Sequence, residues 1–387
     1  MPPRIWLILG VLVAFNIYAC ARVIARWPLA SQHLTVSWLI VLAILALQLA
    51  AFFGNRLWFA DLAQREGGEA MIVAINWVSY VVFGVMTAFV AMVFAVDIVT
   101  LIWKKVAPPA DMVDFDRRTL ITLGALALGT SALGIFQART GPMVKRVEVA
   151  LRNLPKAFDG FTIAQVSDLH VGLTVRRGYT QNVVDIVNGL KPDLIALTGD
   201  FTDGAVDDLA EHVAPLGELK APHGMYFVTG NHEYFSDPMG WIDEFARLGA
   251  RVLNNAHDVI TRDGESIVVA GVTDWSTRAL PNDHASDARR AVAGAPEGAP
   301  RIILAHQPAS FEDCHAAGCD LQLSGHTHSG QYFPFNLLIG LFHRFSRGLN
   351  RFENMWIYVN QGTGYWGPPL RTAVPSEITL ITLRQDA

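Results

Sequence analysis

Five times in the second half of this chain an apolar run of strand length passes directly into Asp, Asn or His. FTIAQVS (161–167) leads into Asp168-Leu169-His170, and DLIALT (193–198) into Gly199-Asp200. MYFVT (225–229) leads into Gly230-Asn231-His232-Glu233, RIILA (301–305) into His306, and LQLS (321–324) into Gly325-His326-Thr327-His328. Loops that follow strands gather at the carboxyl edge of a sheet, where ligand sites form. In Asp168-x-His170 and His326-x-His328 the middle residue points away, so the outer pair can meet at one point. A lone motif of this kind is more often a cap or a core residue; five together have no structural reason to recur.

Between these motifs the periodicity predicts helices over 178–190, 206–219 and 241–248 and further strands over 266–271, 356–359 and 377–383. Helices alternate with strands early and strands then follow one another quickly. That order predicts two sheets flanked by helices. Chemically, Asp168, His170, Asp200, Asn231, His306, His326 and His328 offer nitrogen and oxygen donors and no thiolate. This set suits two divalent transition ions (Mn, Fe or Zn) rather than a structural zinc site or a calcium loop. Two ions ~3.5–4 Å apart need a shared carboxylate, and Asp200, alone on its strand end, is the natural bridge. Gly199, Gly230 and Gly325 beside the donors permit close backbone approach.

The first 140 residues are different. The whole chain is 51% hydrophobic and only 17% charged, an excess that this segment carries. Four apolar stretches approach the ~20 residues that span hydrocarbon, placing helices at about 5–23, 36–54, 75–97 and 119–137. The first is a retained helix rather than a cleaved leader, since other spans follow it. Asp97, close to Lys104 and Lys105, is expected at the interface. Charge does not orient the bundle. Arg22, Arg26, Lys104, Lys105, Arg117 and Arg118 stand against Arg4, Arg56, Arg65, Arg139, Lys145, Arg146 and Arg152. Asp116-Arg117-Arg118-Thr119-Leu120-Ile121 before a Gly/Ala-rich run resembles a twin-arginine export signal and equally reads as a basic helix anchor. The expectation is a multi-pass inner (plasma) membrane protein with its second domain extracytoplasmic.

DLH, GDFTD, GNHE, the AHQP histidine and GHTH, in this order, resemble the calcineurin-like metallophosphoesterase family over roughly 148–387. GHTHSGQ behind a membrane-anchoring segment is similar to its bacterial membrane-associated branch. The resemblance implies an α/β fold, a four-layer αββα metallophosphoesterase sandwich preceded here by a bundle of transmembrane helices in 1–140. It also implies phosphoester hydrolysis by a metal-bridged hydroxide. Asp168, His170, Asp200 and His328 would hold one ion; Asp200, Asn231, His306 and His326 the other. His232 matches the histidine that touches the scissile phosphate, and Asp203 the carboxylate that orients it. GDFTDG lacks the arginine of the protein-phosphatase branch, which disfavours phosphoprotein substrates. Asn360, Gln361 and Trp366 look individual to this chain and are expected to shape the substrate mouth.

The expected substrate is a mono- or diester, lipid-linked or a nucleotide-sugar of the envelope, met at the membrane. A nuclease of the same chemistry is disfavoured by the net charge of −5, which gives no basic field for nucleic acid. A transporter or sensor regulated by the domain is disfavoured because Asp97 is its sole plausible intramembrane carboxylate. Cys20, Cys314 and Cys319 are too few and dispersed for a disulfide framework; Cys314 and Cys319 could pair if their geometry allowed, and read rather as two reduced, buried thiols. His212, His223, His257, His284, His315 and His343 read as surface or core residues, and Arg176 and Arg177 as a solvated loop. The apolar run FPFNLLIGLFHRF (333–345) reads equally as core or as a segment dipping into the bilayer.

Overall fold

The computed structural model describes residues 3–57, 67–106, 116–280 and 284–386. They form two units, one of Met1–Phe136 with Gly367–Thr372, the other of Gln137–Trp366 with Ala373–Ala387.

In the first unit the apolar runs become helices, because only a helix satisfies its own backbone in lipid. These are α1 (Pro3–Arg26), α2 (Leu34–Leu57), α3 (Gly68–Val106) and α4 (Arg117–Arg139). Segments within α1, α3 and α4 are long and apolar enough to cross a membrane; the apolar stretch found in α2, Leu34–Ala50, is shorter. At 39 residues, α3 is about 58 Å long at 1.5 Å per residue, well beyond one hydrocarbon core. Ala19, Val90, Val93, Leu120 and Leu123 form one apolar core of this unit, and Cys20, Ile24, Val41 and Leu45 another. Asp97, half-buried, links α3 to α1. Arg22 of α1 donates to its Oδ1 at 2.7 Å, and the Tyr18 hydroxyl to its Oδ2. At the start of α4, Asp116 caps the helix by accepting from the Thr119 N–H at 2.9 Å. Arg65, used in the charge count, lies outside the described residues, as do the side chains of Arg4 and Arg56.

The second unit has two six-stranded sheets. One runs β1 (Met143–Leu151), β12 (Glu377–Gln385), β2 (Thr162–Val166), β3 (Leu194–Thr198), β4 (Met225–Val228), β5 (Ala250–Val252). The other runs β10 (Gly348–Phe352), β11 (Met355–Val359), β9 (Leu321–Ser324), β8 (Arg301–Leu304), β7 (Glu265–Gly271), β6 (Ala256–Arg262). Strands β2 to β5 are parallel, as are β7, β8, β9 and β11. Alternation along the strands builds three cores. Ile163, Leu194 and Ala196 face Ile302, Leu304 and Leu323 between the sheets. Their neighbours Ala164, Ile195 and Leu197 face Val183, Val187 and Phe245 of outer helices. Ile303, Ala305 and Ile357 pack outward against Ala288, Cys314 and Phe345. Burial on both faces explains why these strands are continuous apolar runs. The result is the expected four-layer arrangement of two sheets between helical layers.

Helix α5 (Arg177–Leu190) matches its expected range closely. Helix α6 (Val206–Val213) is shorter than the predicted 206–219, because Pro215 and Gly217 turn the rest into a 3-10 segment over Ala214–Glu218. Two further helices, α7 (Asn231–Ser236) and α8 (Pro238–Arg247), follow β4. Cys314 and Cys319 are free and buried, as is Cys20.

Candidate metal centre

All seven predicted donors stand on the loops that follow β2, β3, β4, β8 and β9. These loops turn within one or two residues, and the backbone shows the cost. Asp168, His170, Asp200, His326 and His328 all have φ between 47° and 71°, the left-handed region that non-glycine residues rarely enter. Strain of this kind collects at functional sites. Two glycines make the crowding possible. A Cβ on Gly325 would lie 2.0 Å from Asp168 Oδ2, and one on Gly230 2.2 Å from Asp200 Oδ1.

The side chains converge in three overlapping groups: Asp168, His170 and His328; His170, Asp200 and His232; and Asp200, His306 and His326. His170 belongs to the first and second groups, and Asp200 to the second and third. His170 Nε2 and His328 Nε2 face each other at 2.9 Å, and His306 Nε2 lies 3.0 Å from Asp200 Oδ2. Asp168 also accepts the His326 N–H at 2.8 Å, which ties the first loop to the last.

The outer nitrogens set the tautomers. His306 Nδ1 donates to the Thr198 carbonyl at 2.8 Å. Asp203 Oδ1 takes Nδ1 of His170 at 2.9 Å and Nδ1 of His232 at 2.7 Å. Each Nδ1 is thereby committed, and Nε2 is left for the centre. Burial opposes ionisation of Asp203, yet His170 and His232 hold its carboxyl below the usual range. Burial would pull His232 down, but Asp200 and Asp203 outweigh it and raise it to about 9. His326 goes the other way, to about 3, through burial and the nearby His306.

The residues fit a metal on two grounds. Asn231 Oδ1 is buried and makes no hydrogen bond, which costs free energy unless something else satisfies it, and the buried His306 Nε2 faces the Asp200 carboxylate at 3.0 Å. Both are oxygen or nitrogen donors of the kind first-row divalent ions accept.

The family description "calcineurin-like phosphoesterase" matches residues 161–330. An uncharacterized metallophosphoesterase of Helicobacter pylori is 31% identical over 319 residues, covering 80% of each chain. The chain belongs to the calcineurin-like metallophosphoesterases. It is also 38% identical over 277 residues to a zebrafish (Danio rerio) transmembrane protein with metallophosphoesterase domain, 70% of this chain and 63% of that one. The Bos taurus protein of the same name is 37% identical over 265 residues, covering 66% and 60%. The chain thus spans less than two thirds of the length of these two relatives. Metal dependence and phosphoester chemistry belong to the metallophosphoesterase family, and the His/Asp groups above are where this member can hold metal.

Several residues of this metallophosphoesterase escape sequence reasoning. Glu233, the last residue of GNHE, is fully buried and accepts four backbone N–H groups. They come from Gly230 (2.7 Å), Asp200 (3.1 Å), Phe201 (2.7 Å) and Thr202 (3.2 Å). Gln331 donates to the Trp366 carbonyl at 3.0 Å and accepts the Trp366 N–H at 2.9 Å, setting that ring 5.6 Å from His232. Phe235 lies 5.2 Å from the other side of His232. His343, set aside in the sequence, packs its ring 5.6 Å from His326. Phe235, the third residue after His232, and the spacing after GHTH carried no signal for these contacts.

Other expectations change. Of the three residues expected at the substrate mouth, Trp366 is the one that stands exposed beside His232. Asn360 is fully buried and donates to Thr379 Oγ1, and Gln361 donates to Glu377, because the NQG turn has to close back onto β12. Arg176 and Arg177 contact His212 and the Glu211 carbonyl on α6.

Proposed function

We propose that this chain is a membrane-anchored dinuclear phosphoesterase that hydrolyses phosphomonoester or phosphodiester bonds. The observation that carries the reading is the convergence of Asp168, His170, Asp200, His306, His326 and His328, five of them on left-handed backbone, beside a buried Asn231 Oδ1 that makes no hydrogen bond. In this reading Asp168, His170, Asp200 and His328 hold one divalent transition ion. Asp200, Asn231, His306 and His326 hold the other. Bound ions supply Lewis-acid charge for the phosphoryl oxygens and bring the pKa of a water toward neutrality.

The remaining work falls to the protein. Asp203 fixes the His232 ring through Nδ1, so that Nε2 carries the exchangeable proton toward the substrate. As the water oxygen bonds to phosphorus and the P–O ester bond breaks, His232 gives that proton to the leaving alkoxide. Phe235 and Trp366 flank the ring and leave an apolar wall for the leaving group, which favours a lipid-linked ester over a nucleotide-sugar. The transmembrane names of two relatives support the anchoring. Four crossings, α2 included, would put the N-terminus and the domain on one side. The Arg117-Arg118 pattern favours the extracytoplasmic face; a reporter active only outside the cell, fused after Gln385, should be active, and an inactive one in stable fusions would reverse the orientation.

The test is an assay of the full chain, reconstituted with Mn, Fe or Zn, on nitrophenyl mono- and diesters. Metal-dependent hydrolysis of at least one class is expected. No hydrolysis by a chain with ions bound would overturn the proposal.

A further inference from the structure

Beyond Gln331 the chain leaves the His326/His328 loop, makes an excursion and comes straight back. On its return the Ser346 carbonyl accepts from Thr327 Oγ1 at 2.7 Å, and His343 packs on His326. Both ends are therefore fixed at the metal centre. The excursion itself is ordered: a short helix over Phe335–Leu338 continues into a 3-10 turn over Ile339–Leu341. Asn336 N–H donates to the Tyr332 carbonyl at 3.1 Å, and Phe342 N–H to that of Ile339. Gly330 lies so close beneath it that a Cβ there would meet the Phe335 carbonyl oxygen at 2.4 Å.

What this scaffold presents is apolar. Neither the helix nor the turn contains a buried residue. Leu337, Leu341 and Phe342 are 71%, 78% and 76% exposed, with Phe335 and Leu338 exposed beside them. Near His232, Phe235 and Trp366 add two more exposed rings. A water-soluble surface rarely leaves such groups together without a partner. Charge narrows the partner: no carboxylate occurs between Asp320 and Glu353, while Arg344, Arg347 and Arg351 do. Apolar side chains on a short amphipathic element with arginines at its edge are the pattern of an interfacial lipid contact. The same chain has helices able to cross a membrane, so a lipid surface is always present at high effective concentration.

We propose that residues 335–342 insert into the headgroup–acyl boundary of a bilayer, with Arg344 and Arg347 against anionic headgroups, and that the substrate is an amphiphilic phosphoester drawn from that surface. The substrate half rests on the phosphoesterase reading above; the insertion half does not.

The full chain carrying Leu341→Cys is labelled with an environment-sensitive fluorophore, the three native cysteines being buried. It is reconstituted in phosphatidylcholine–phosphatidylglycerol vesicles containing lipids spin-labelled near the headgroup. Quenching of at least twofold is expected at Leu341, and little at an Asp207→Cys control. Equal quenching at both positions would overturn insertion. So would efficient Leu341→Cys cross-linking between two copies, which would make a second chain the occupant. A second arm compares ethyl and hexadecyl 4-nitrophenyl phosphate in these vesicles. The chain should prefer the hexadecyl ester about tenfold or more, and Leu341→Gln/Phe342→Gln should erase the preference. Equal rates on both esters would overturn the amphiphilic substrate. Hydrolysis of neither would overturn the amphiphilic diester as substrate, and failure on 4-nitrophenyl phosphate as well, with ions bound, would sink the phosphoesterase reading, leaving insertion judged by quenching.

Discussion

One oxygen, Asp203 Oδ1, takes Nδ1 of both His170 and His232, so a metal donor and the proposed proton donor share a single orienting group. His232→Ala should lower kcat by about 10²–10⁴-fold, the range for a lost general acid. Metal content by elemental analysis should stay unchanged; unchanged turnover would refute the role. The same contacts give the metal-free chain a pH signature. His232 is raised to about 9 from an ordinary value of about 6.5. Its stabilising share is complete below the lower value and is lost as pH rises through the upper one. His306 is raised too, with Asp200 outweighing burial, and acts in the same direction. The thermal midpoint of the metal-free chain should therefore fall between pH 7 and 9.5 (steps chosen to bracket these values). His232→Gln should fall less, and equal slopes in the two proteins would contradict the assignment. Added divalent ions should flatten the slope, since they repel the same protons.

At the scale of elements, the strand ends were legible and the ties between them were not. β2, β3, β4, β8 and β9 are buried on both faces, so each announces itself as a mostly apolar run, broken only by the buried Gln165 and Gln322 within β2 and β9, and its polar end as a site. β1 and β6 are edge strands with several exposed positions. The partner of β1 is β12, more than 220 residues further along the chain, and β6 pairs with the adjacent β7 as a hairpin that exposes one face; periodicity alone does not show either edge. The carboxylate of Glu233 has the same character. Its four N–H donors lie on the loop after β3 and at the start of α7, while in sequence it is only the residue after His232. Glu233→Gln would set an amide NH₂ against backbone N–H groups. A loss of roughly 2–4 kcal/mol of stability is expected from the broken charge-assisted bonds, read by denaturant unfolding of the metal-free chain. A loss below about 0.5 kcal/mol, the scale of an ordinary surface change, would mean that Glu233 does not hold the loop.

For the whole molecule, the order of the motifs and the apolar N-terminal runs were enough to foresee a metallophosphoesterase behind long apolar helices. Pairings among helices were not legible: Asp97 meets Arg22 and Tyr18 of α1, 75 and 79 residues earlier, because side chains that share a buried face find each other across helices. Nor did the sequence choose between core and surface for 333–345. Tyr332 and Phe345 are buried while the five apolar residues between them that stand out to solvent are not, so one apolar run holds both answers. The central claim is that Asp200 is shared between two ions, and metal counting on the purified full chain tests it most directly. Elemental analysis of active wild type should find about two transition ions per chain, as a two-metal site requires. Asp200→Asn should lose both its metal content and its hydrolysis; an Asp200→Asn chain that keeps two ions and full activity would contradict the account.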